Sequence, residues 1–290
     1  MRFSTVLLNE EMAMKRIAIA GAGAMARTRA RALLASGQVQ ICGIASRHLS
    51  TARAFAAEIG CTTYYDDYHQ LITLRPDALL VEVPHGAQDE ITCWALEQRL
   101  HLLIGGVLAT NSANAQHILE LSRRNGLIVE AGIQERYNAP WLAAKAMIDS
   151  KLLGDMVAIR SVALWDGDPK TWYYRQGDSG GMPLTHMTYC FINPIRWLVG
   201  NPRAVSAFSN RKLHTGAEFV AEETCIANLL FDGDVLGSLT AGFVKPANIP
   251  SWTVTLIAIS SFNKTVEKRI FRRFVFLLTR LLITKPSYGR

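Results

Sequence analysis

The residues best suited to hold a phosphate group come early in the chain. Gly21, Gly23 and Ala26 have the spacing G-x-G-x-x-A, between the apolar run Ile17-Ala18-Ile19-Ala20 and a helix-forming run that continues to Ser36. Gly21 allows a sharp turn out of a strand, Gly23 lets a pyrophosphate approach the backbone, and Ala26 lets a helix pack on the strand. The N–H groups at the helix start, around Gly23, Ala24 and Met25, would face the phosphates, helped by the helix dipole. Alone the spacing is weak. The strand before it and the helix after it supply the context that dinucleotide binding requires. A second group of residues bears on which dinucleotide. Where an NAD-binding chain offers a carboxylate to the ribose 2′-hydroxyl, this one reads Ala45-Ser46-Arg47-His48. A hydroxyl from Ser46 and the guanidinium of Arg47 can hold a 2′-phosphate. The expected cofactor is therefore NADP(H), ahead of NAD(H). The bland alternative leaves Arg47 as a solvated loop charge.

Elements must exist to position these groups, and the pattern supplies them. Gln38–Ala45 reads as a strand, Thr51–Ile59 as a helix stopped by Gly60, and Cys61–Tyr65 as a short extended piece. Asp77–Val83 reads as a strand closed by Pro84, Asp89–Gln98 as a helix, and Leu100–Ile104 as a strand ending in Gly105-Gly106. Ala113–Asn125 reads as a helix and Leu127–Ala131 as a last strand. Such alternation implies right-handed crossovers and a parallel sheet covered on both faces. Pro84, His85, Gln88 and Gly105 follow strands whose carboxyl ends should face the cofactor crevice, so they join the cofactor-binding candidates. Past residue 133 the rhythm changes. A helix over Ala139–Ser150 is followed by strand-like runs at Met156–Trp165, Arg203–Ser209, Thr224–Phe231 and Val235–Phe243, the last two joined by Asp232-Gly233-Asp234 as a hairpin. Thr188–Gly200 reads as a helix that Pro194 must kink or restart. The expected fold class is α/β: an N-terminal doubly wound Rossmann sheet over 14–133, and an α+β domain with a mainly antiparallel sheet over 134–258. Residues 259–290 form an atypical basic, apolar tail.

Composition narrows the function classes. Apolar residues make up 49% of the chain and charged ones 19%, which describes a globular protein with a sizeable core. The net charge of +7 is local. Residues 259–290 hold eight Lys/Arg against one acid, Glu267, and the preceding 258 residues balance at 23 of each sign. The basic character therefore argues for no nucleic-acid face on the body of the protein. Five scattered cysteines without C-x-x-C spacing suggest reduced thiols in the cytoplasm, and no metal-ligand spacing is present.

Several phrases in order resemble the Gfo/Idh/MocA family of nicotinamide-dependent oxidoreductases, over residues 14 to about 257. They are the glycine turn at 21–26, Val83-Pro84, His101-Leu102-Leu103-Ile104 with the loop to Ala109, Gln134-Glu135-Arg136-Tyr137-Asn138-Ala139-Pro140, Gly180-Gly181, and Ile195-Arg196-Trp197-Leu198. The resemblance implies a Rossmann domain followed by a sheet domain that binds a small-molecule substrate and mediates homo-oligomerisation. Arg136 and Tyr137, within a matching phrase, and Trp165, in an aromatic-rich loop, are the candidate substrate contacts. Arg136 and Tyr137 could equally stitch domains together, and the loop holding Trp165, Trp172, Tyr173 and Tyr174 could stack on a planar substrate or belong to the core.

At the catalytic positions the chain departs from the family. Where relatives carry Glu-Lys-Pro it has Gly105-Gly106-Val107, so no ammonium is available there. Where they carry Asp and His four residues apart and a further Asp, it has His186, Cys190 and Asn193. Reduction of a carbonyl needs a proton donor within hydrogen-bond reach of the oxygen. His186 is the first candidate because imidazole titrates near neutrality, followed by Tyr189, Lys145 and Tyr137. One reading is an NADPH-preferring oxidoreductase with a rewired donor, acting on a small carbonyl or hydroxyl or on a conjugated substrate such as a linear tetrapyrrole. Biliverdin reductases, distant relatives by this resemblance, likewise lack the lysine. A second reading is an inactive dinucleotide-binding sensor, scaffold or partner subunit, and a third is a nonfunctional or truncated product. From about Ala258 the resemblance stops. The apolar runs of this basic tail are too short for a membrane span, and Arg280 interrupts them. The tail could lie on an anionic membrane surface, dock on a subunit, or be an adventitious end replacing a lost C-terminus. The last is the expectation, with a truncated second sheet as its consequence.

Overall fold

Short apolar strands alternating with helices assemble as the pattern requires in the computed structural model. It describes residues 14–131, 134–165, 168–179, 181, 189–220, 222–243 and 252–259. His186 and the tail beyond Ile259 lie outside the described residues. Two compact units emerge: Met1–Val83 with Ala87–Gly132, and Pro84–Gly86 with Ile133–Arg290.

In the first unit the chain runs β1 (Lys15–Ala20), α1 (Ala24–Ala35), β2 (Val39–Ala45), α2 (Leu49–Glu58), β3 (Tyr64–Tyr65), β4 (Ala78–Val81), α3 (His85–Glu97, of which His85 and Gly86 are grouped with the second unit), β5 (His101–Ile104), α4 (Ser112–Asn125) and β6 (Val129–Ala131). The sheet order is β3-β2-β1-β4-β5-β6. Every pairing is parallel. Successive side chains of a strand point to opposite faces, and the core divides accordingly. Ala18, Ala20, Leu79, Val81, Leu102 and Ile104 pack with Ile91, Ala95 and Ile118. Ile19, Ile44 and Leu80 pack with Ala26, Ala30, Ala52 and Phe55. Both faces are thus covered, as a parallel sheet requires. Fully buried side chains such as Phe55 contribute about 2–3 kcal/mol each. Two features were not read from the pattern. A 3-10 helix occupies Tyr68–Leu74, capped by the Asp67 side chain accepting from His69 N. And α3 starts at His85, not at Asp89, because Pro84 fixes a helix-compatible φ and the turn can wind directly behind it.

The second unit contains α5 (Ala139–Asp149), β7 (Asp155–Leu164), the short α6 (Gln176–Ser179), α7 (Tyr189–Val199), β8 (Ala204–Asn210), β9 (Thr224–Leu230), β10 (Leu236–Gly242) and β11 (Trp252–Ile259). The sheet order is β11-β7-β10-β9-β8. Only β7 and β10 pair in parallel; the other three pairings are antiparallel. β9 and β10 form the hairpin expected at Asp232–Asp234. β11 escaped the sequence reading. Pro194 does not restart α7, whose Phe191, Pro194, Ile195 and Leu198 are buried at helical spacing. Burying that stripe offsets the roughly 3 kcal/mol an interior proline costs. One sheet face packs Ile159, Ala163, Ala227, Leu239 and Val254 against Trp141, Ala144, Ile195 and Leu198. On the other face Phe208, Ile226, Leu236 and Ile257 are exposed.

A buried carboxylate organises the loop after β8. Glu223 accepts from the backbone N–H groups of Lys212 (2.6 Å), Leu213 (2.7 Å) and His214 (3.0 Å), and pairs with the His214 ring. Burial alone would push its carboxyl up; the three amides and the imidazole outweigh it and hold the pKa below the usual carboxylate range. A carboxyl with a lowered folded-state pKa stabilises the fold above its unfolded value, about 4.3, and loses that contribution as pH falls through the folded value. Glu223→Gln should therefore cost about 1–3 kcal/mol at pH 7. The gap between wild type and variant, followed by urea unfolding, should close below pH ~4. A gap that stays constant with pH would remove the carboxylate charge as the anchor.

Candidate functional site

Four strand ends of the first unit finish in one row. Ala20 pairs with Ala45 and with Val81, and Val81 pairs with Ile104. Gly21, Ser46, Glu82 and Gly105, each one residue further on, therefore share the carboxyl edge of the sheet, where open parallel sheets bind ligands at the reversal of strand order. That reversal lies between β1 and β4. Gly21 has φ +111°, and a Cβ there would lie 2.0 Å from the Glu82 carbonyl oxygen. Its N–H donates to Ala45 O at 2.8 Å. Gly23 differs: φ is −76°, and nothing lies within 4 Å of where its Cβ would be. It is the N-cap of α1, gives no side-chain cap, and no acid stands in the first turn. Ala24 and Met25 are exposed beside it, while Ala26 is fully buried against the strand. The amides at the start of α1 thus meet open space with no competing carboxylate, which fits a diphosphate.

Beside this turn, Ser46 is half-buried and its N–H donates to Tyr65 O at 3.1 Å. Arg47 is exposed and makes no ion pair among the described residues. The next helix, α2, also lacks a side-chain cap and a first-turn acid. The acid at its far end, Glu58, already holds Arg27 (2.8 Å) and Arg31. A hydrogen bond from Arg27 is the main reason its carboxyl lies below the usual range.

Past β4 and β5 the edge is shaped by Glu82 and Arg29, which no sequence motif marks, together with the candidates Gln88, Pro84 and His85. Glu82 turns its carboxylate into the place a side chain at 105 would take: a Cβ on Gly105 would lie 2.1 Å from Glu82 Cδ. Arg29 of α1 donates to Glu82 Oε1, and both side chains are largely buried. Burial pushes the Glu82 carboxyl up and Arg29 works against it. An acid inside the apolar run Ala78–Val83 was the signal available in the sequence. Gln88 is buried, its Nε2 donating to Val107 O (2.6 Å) and Leu108 O (3.2 Å), so it secures the loop after β5. Half-buried Pro84 and buried His85 belong to the second unit. There His85 Nδ1 lies 3.1 Å from Ser179 O, and the ring meets Trp172 edge-on at 5.0 Å.

Within the second unit, Arg136 is half-buried, donates to Asn193 O at 3.4 Å, and carries its Cζ 5.8 Å from the Trp197 ring centre. Tyr137 is exposed. Trp165 stands exposed at the end of β7, its ring 6.3 Å from that of Tyr173. Tyr173 stacks on Phe243, and Tyr174 is core. The aromatic loop therefore divides between surface and interior. Tyr189 opens α7, half-buried. Among the described residues no helix is long and apolar enough to cross a membrane.

Comparison with known proteins agrees with this architecture. The model of an oxidoreductase family with an NAD-binding Rossmann fold, GFO/IDH/MocA, matches residues 15–133. The GFO/IDH/MocA C-terminal domain matches residues 141–256. A dTDP-3,4-didehydro-2,6-dideoxy-alpha-D-glucose 3-reductase of Streptomyces antibioticus is 25% identical over 232 residues, 79% of this chain and 67% of that protein. GenD2 from gentamicin A biosynthesis, solved with NAD, superposes with a TM-score of 0.78 at 19% identity, over 85% of this chain and 70% of that one. The WlbA dehydrogenase of Bordetella pertussis, solved with NADH and UDP-GlcNAcA, gives 0.76 at 17% identity, over 84% and 75%. At such identities the structural likeness carries the fold.

Proposed function

The chain belongs to the GFO/IDH/MocA family of NAD-binding oxidoreductases, and from that premise we propose that it binds NADP(H) and reduces a small carbonyl or oxidises the corresponding hydroxyl. The observation that carries the reading is the row of strand ends with the uncapped start of α1 over Gly23. Backbone amides of Gly23, Ala24 and Met25 hold the diphosphate, and Gly21 and Ala26 let strand and helix close around it. Ser46 and Arg47 take the 2′-phosphate. Pro84, His85, Gln88 and Gly105 complete the cofactor side, with Gln88 acting through the loop it ties down. A bound nicotinamide supplies the hydride. The chain must supply the proton, and with Gly105-Gly106-Val107 in place of an ammonium the donors are His186, outside the described residues, and Tyr189. Arg136, Tyr137 and Trp165 are the substrate contacts. The names of the relatives point to sugar derivatives, so a sugar carbonyl or hydroxyl is the first substrate to try and a conjugated tetrapyrrole the second.

The exposed face with Phe208, Ile226, Leu236 and Ile257 fits a second copy of the chain, and the free cysteines fit a cytoplasmic protein. Sedimentation equilibrium showing only monomer at tens of micromolar would remove the oligomer.

Calorimetry with NADPH and NADH, followed by absorbance at the nicotinamide band against a panel of sugar, carbonyl and tetrapyrrole substrates, tests the function. Binding with turnover on a panel member is the expected result. Binding without turnover on any would favour a sensor, scaffold or partner subunit, and no binding of either dinucleotide would overturn the reading.

A further inference from the structure

We propose that Glu82 is the carboxylate that holds the ribose hydroxyls on the nicotinamide half of the dinucleotide, delivered from β4 into the space that Gly105 leaves empty after β5. The inference rests on the dinucleotide reading above and adds a residue to that site.

Placement is the first argument. Glu82 follows the last residue of β4, next to the strand-order reversal, and its carbonyl oxygen is what the Gly21 turn packs against. Its N–H donates to Ala20 O at 2.7 Å, so its backbone is locked to the phosphate turn. Ser46 and Arg47 lie past β2, on the other side of β1. A dinucleotide whose adenosine ribose reaches β2 and whose diphosphate sits over Gly23 must carry its second ribose past β4 and β5. Glu82 is the acid in that row.

Side-chain geometry is the second argument. The Glu82 carboxylate lies where a Cβ of residue 105 would be, 2.1–2.3 Å from Cδ and both oxygens. Any side chain at 105 would have to displace the Glu82 carboxylate, so the acid at 82 fills space that glycine leaves. Family resemblance leads one to expect an acid at 105; here a carboxylate reaches the same edge from the neighbouring strand. Arg29 takes Oε1. Oε2 has no hydrogen-bond partner among the described residues. A ribose diol presents two O–H donors, which a carboxylate accepts with charge-assisted strength. The pairing with Arg29 also neutralises a charge that would otherwise repel the adjoining diphosphate.

A structural ion pair between α1 and β4 is the competing role, and fragments of the ligand separate the two. NADPH contains the second ribose; 2′,5′-ADP does not. Glu82→Gln should weaken NADPH by about tenfold to a hundredfold and leave 2′,5′-ADP within twofold, by calorimetry. Equal weakening of both, or no change in either, overturns the proposal. If Glu82→Gln fails to fold, Glu82→Ala combined with Gly105→Glu returns a carboxylate to the same space and should bind NADPH within about threefold of wild type. A folded double variant that has lost NADPH but kept 2′,5′-ADP would overturn the proposal. Wild type that binds neither ligand refutes the dinucleotide reading itself, a result distinct from any of these.

Discussion

Gly21→Ala is expected to lose dinucleotide binding and fold stability together, whereas Gly23→Ala loses binding alone. At position 21 a methyl would meet the Glu82 carbonyl at 2.0 Å, and φ is +111°, a conformation that L residues rarely adopt. Neither the carbonyl nor the turn can give way, because Gly21 N is bonded to Ala45 O and Glu82 N to Ala20 O. Strain and clash together should cost about 3 kcal/mol or more, a fall in Tm of roughly 5–10 °C for a chain of this size. At position 23 φ is −76° and a methyl would meet nothing within 4 Å. The fold should tolerate alanine, with Tm unchanged within ~2 °C, while the methyl occupies the approach a diphosphate needs. Dissociation constants for NADPH should rise at least tenfold. Thermal unfolding and calorimetry on the two variants make the comparison. If Gly23→Ala binds like wild type, no diphosphate sits on that turn.

The contrast between the two glycines shows what the sequence could and could not reveal. Both were marked by spacing, and the strands and helices around them followed from apolar periodicity, because the first unit repeats one local rule. Strand alternation also placed Ser46 and Gly105 at the same edge. Glu82 escaped for a physical reason. Its meaning depends on a contact with Gly105 across two paired strands and on Arg29 in a helix 53 positions earlier, and no local pattern encodes either. In the second unit β11 does not follow from the local pattern because its pairing partner, β7, is distant in sequence. α3 begins four residues before the apolar pattern predicts, because Pro84 stands just ahead of its first turn. Aromatic residues in one loop proved unlike each other, Tyr174 buried and Trp165 exposed, since composition fixes a cluster but not which members face inward.

Residues 46 and 47 should decide which dinucleotide binds, and the expected order is NADPH over NADH by at least tenfold. Relatives of the same fold were solved with NAD or NADH, so the fold leaves the choice open and local chemistry must make it. Nothing acidic follows β2 to accept a 2′-hydroxyl or repel a 2′-phosphate. Arg27 and Arg31 are engaged by Glu58, but Arg47 makes no ion pair among the described residues. It is exposed, so its pairing with a phosphate is screened by salt. Arg47→Ala should weaken NADPH by roughly tenfold at low ionic strength, less at high, and leave NADH within twofold. Ser46→Asp should go further and reverse the order, since a carboxylate there accepts the 2′-hydroxyl and repels the phosphate. Fluorescence titration of both nucleotides against wild type and the two variants, at two salt concentrations, reads all of these. Should Arg47→Ala weaken both nucleotides equally, the guanidinium would be touching a group they share, and the preference would have to come from elsewhere on the edge. A wild type that binds NADH tenfold more tightly would overturn the assignment of Ser46 and Arg47 to a 2′-phosphate.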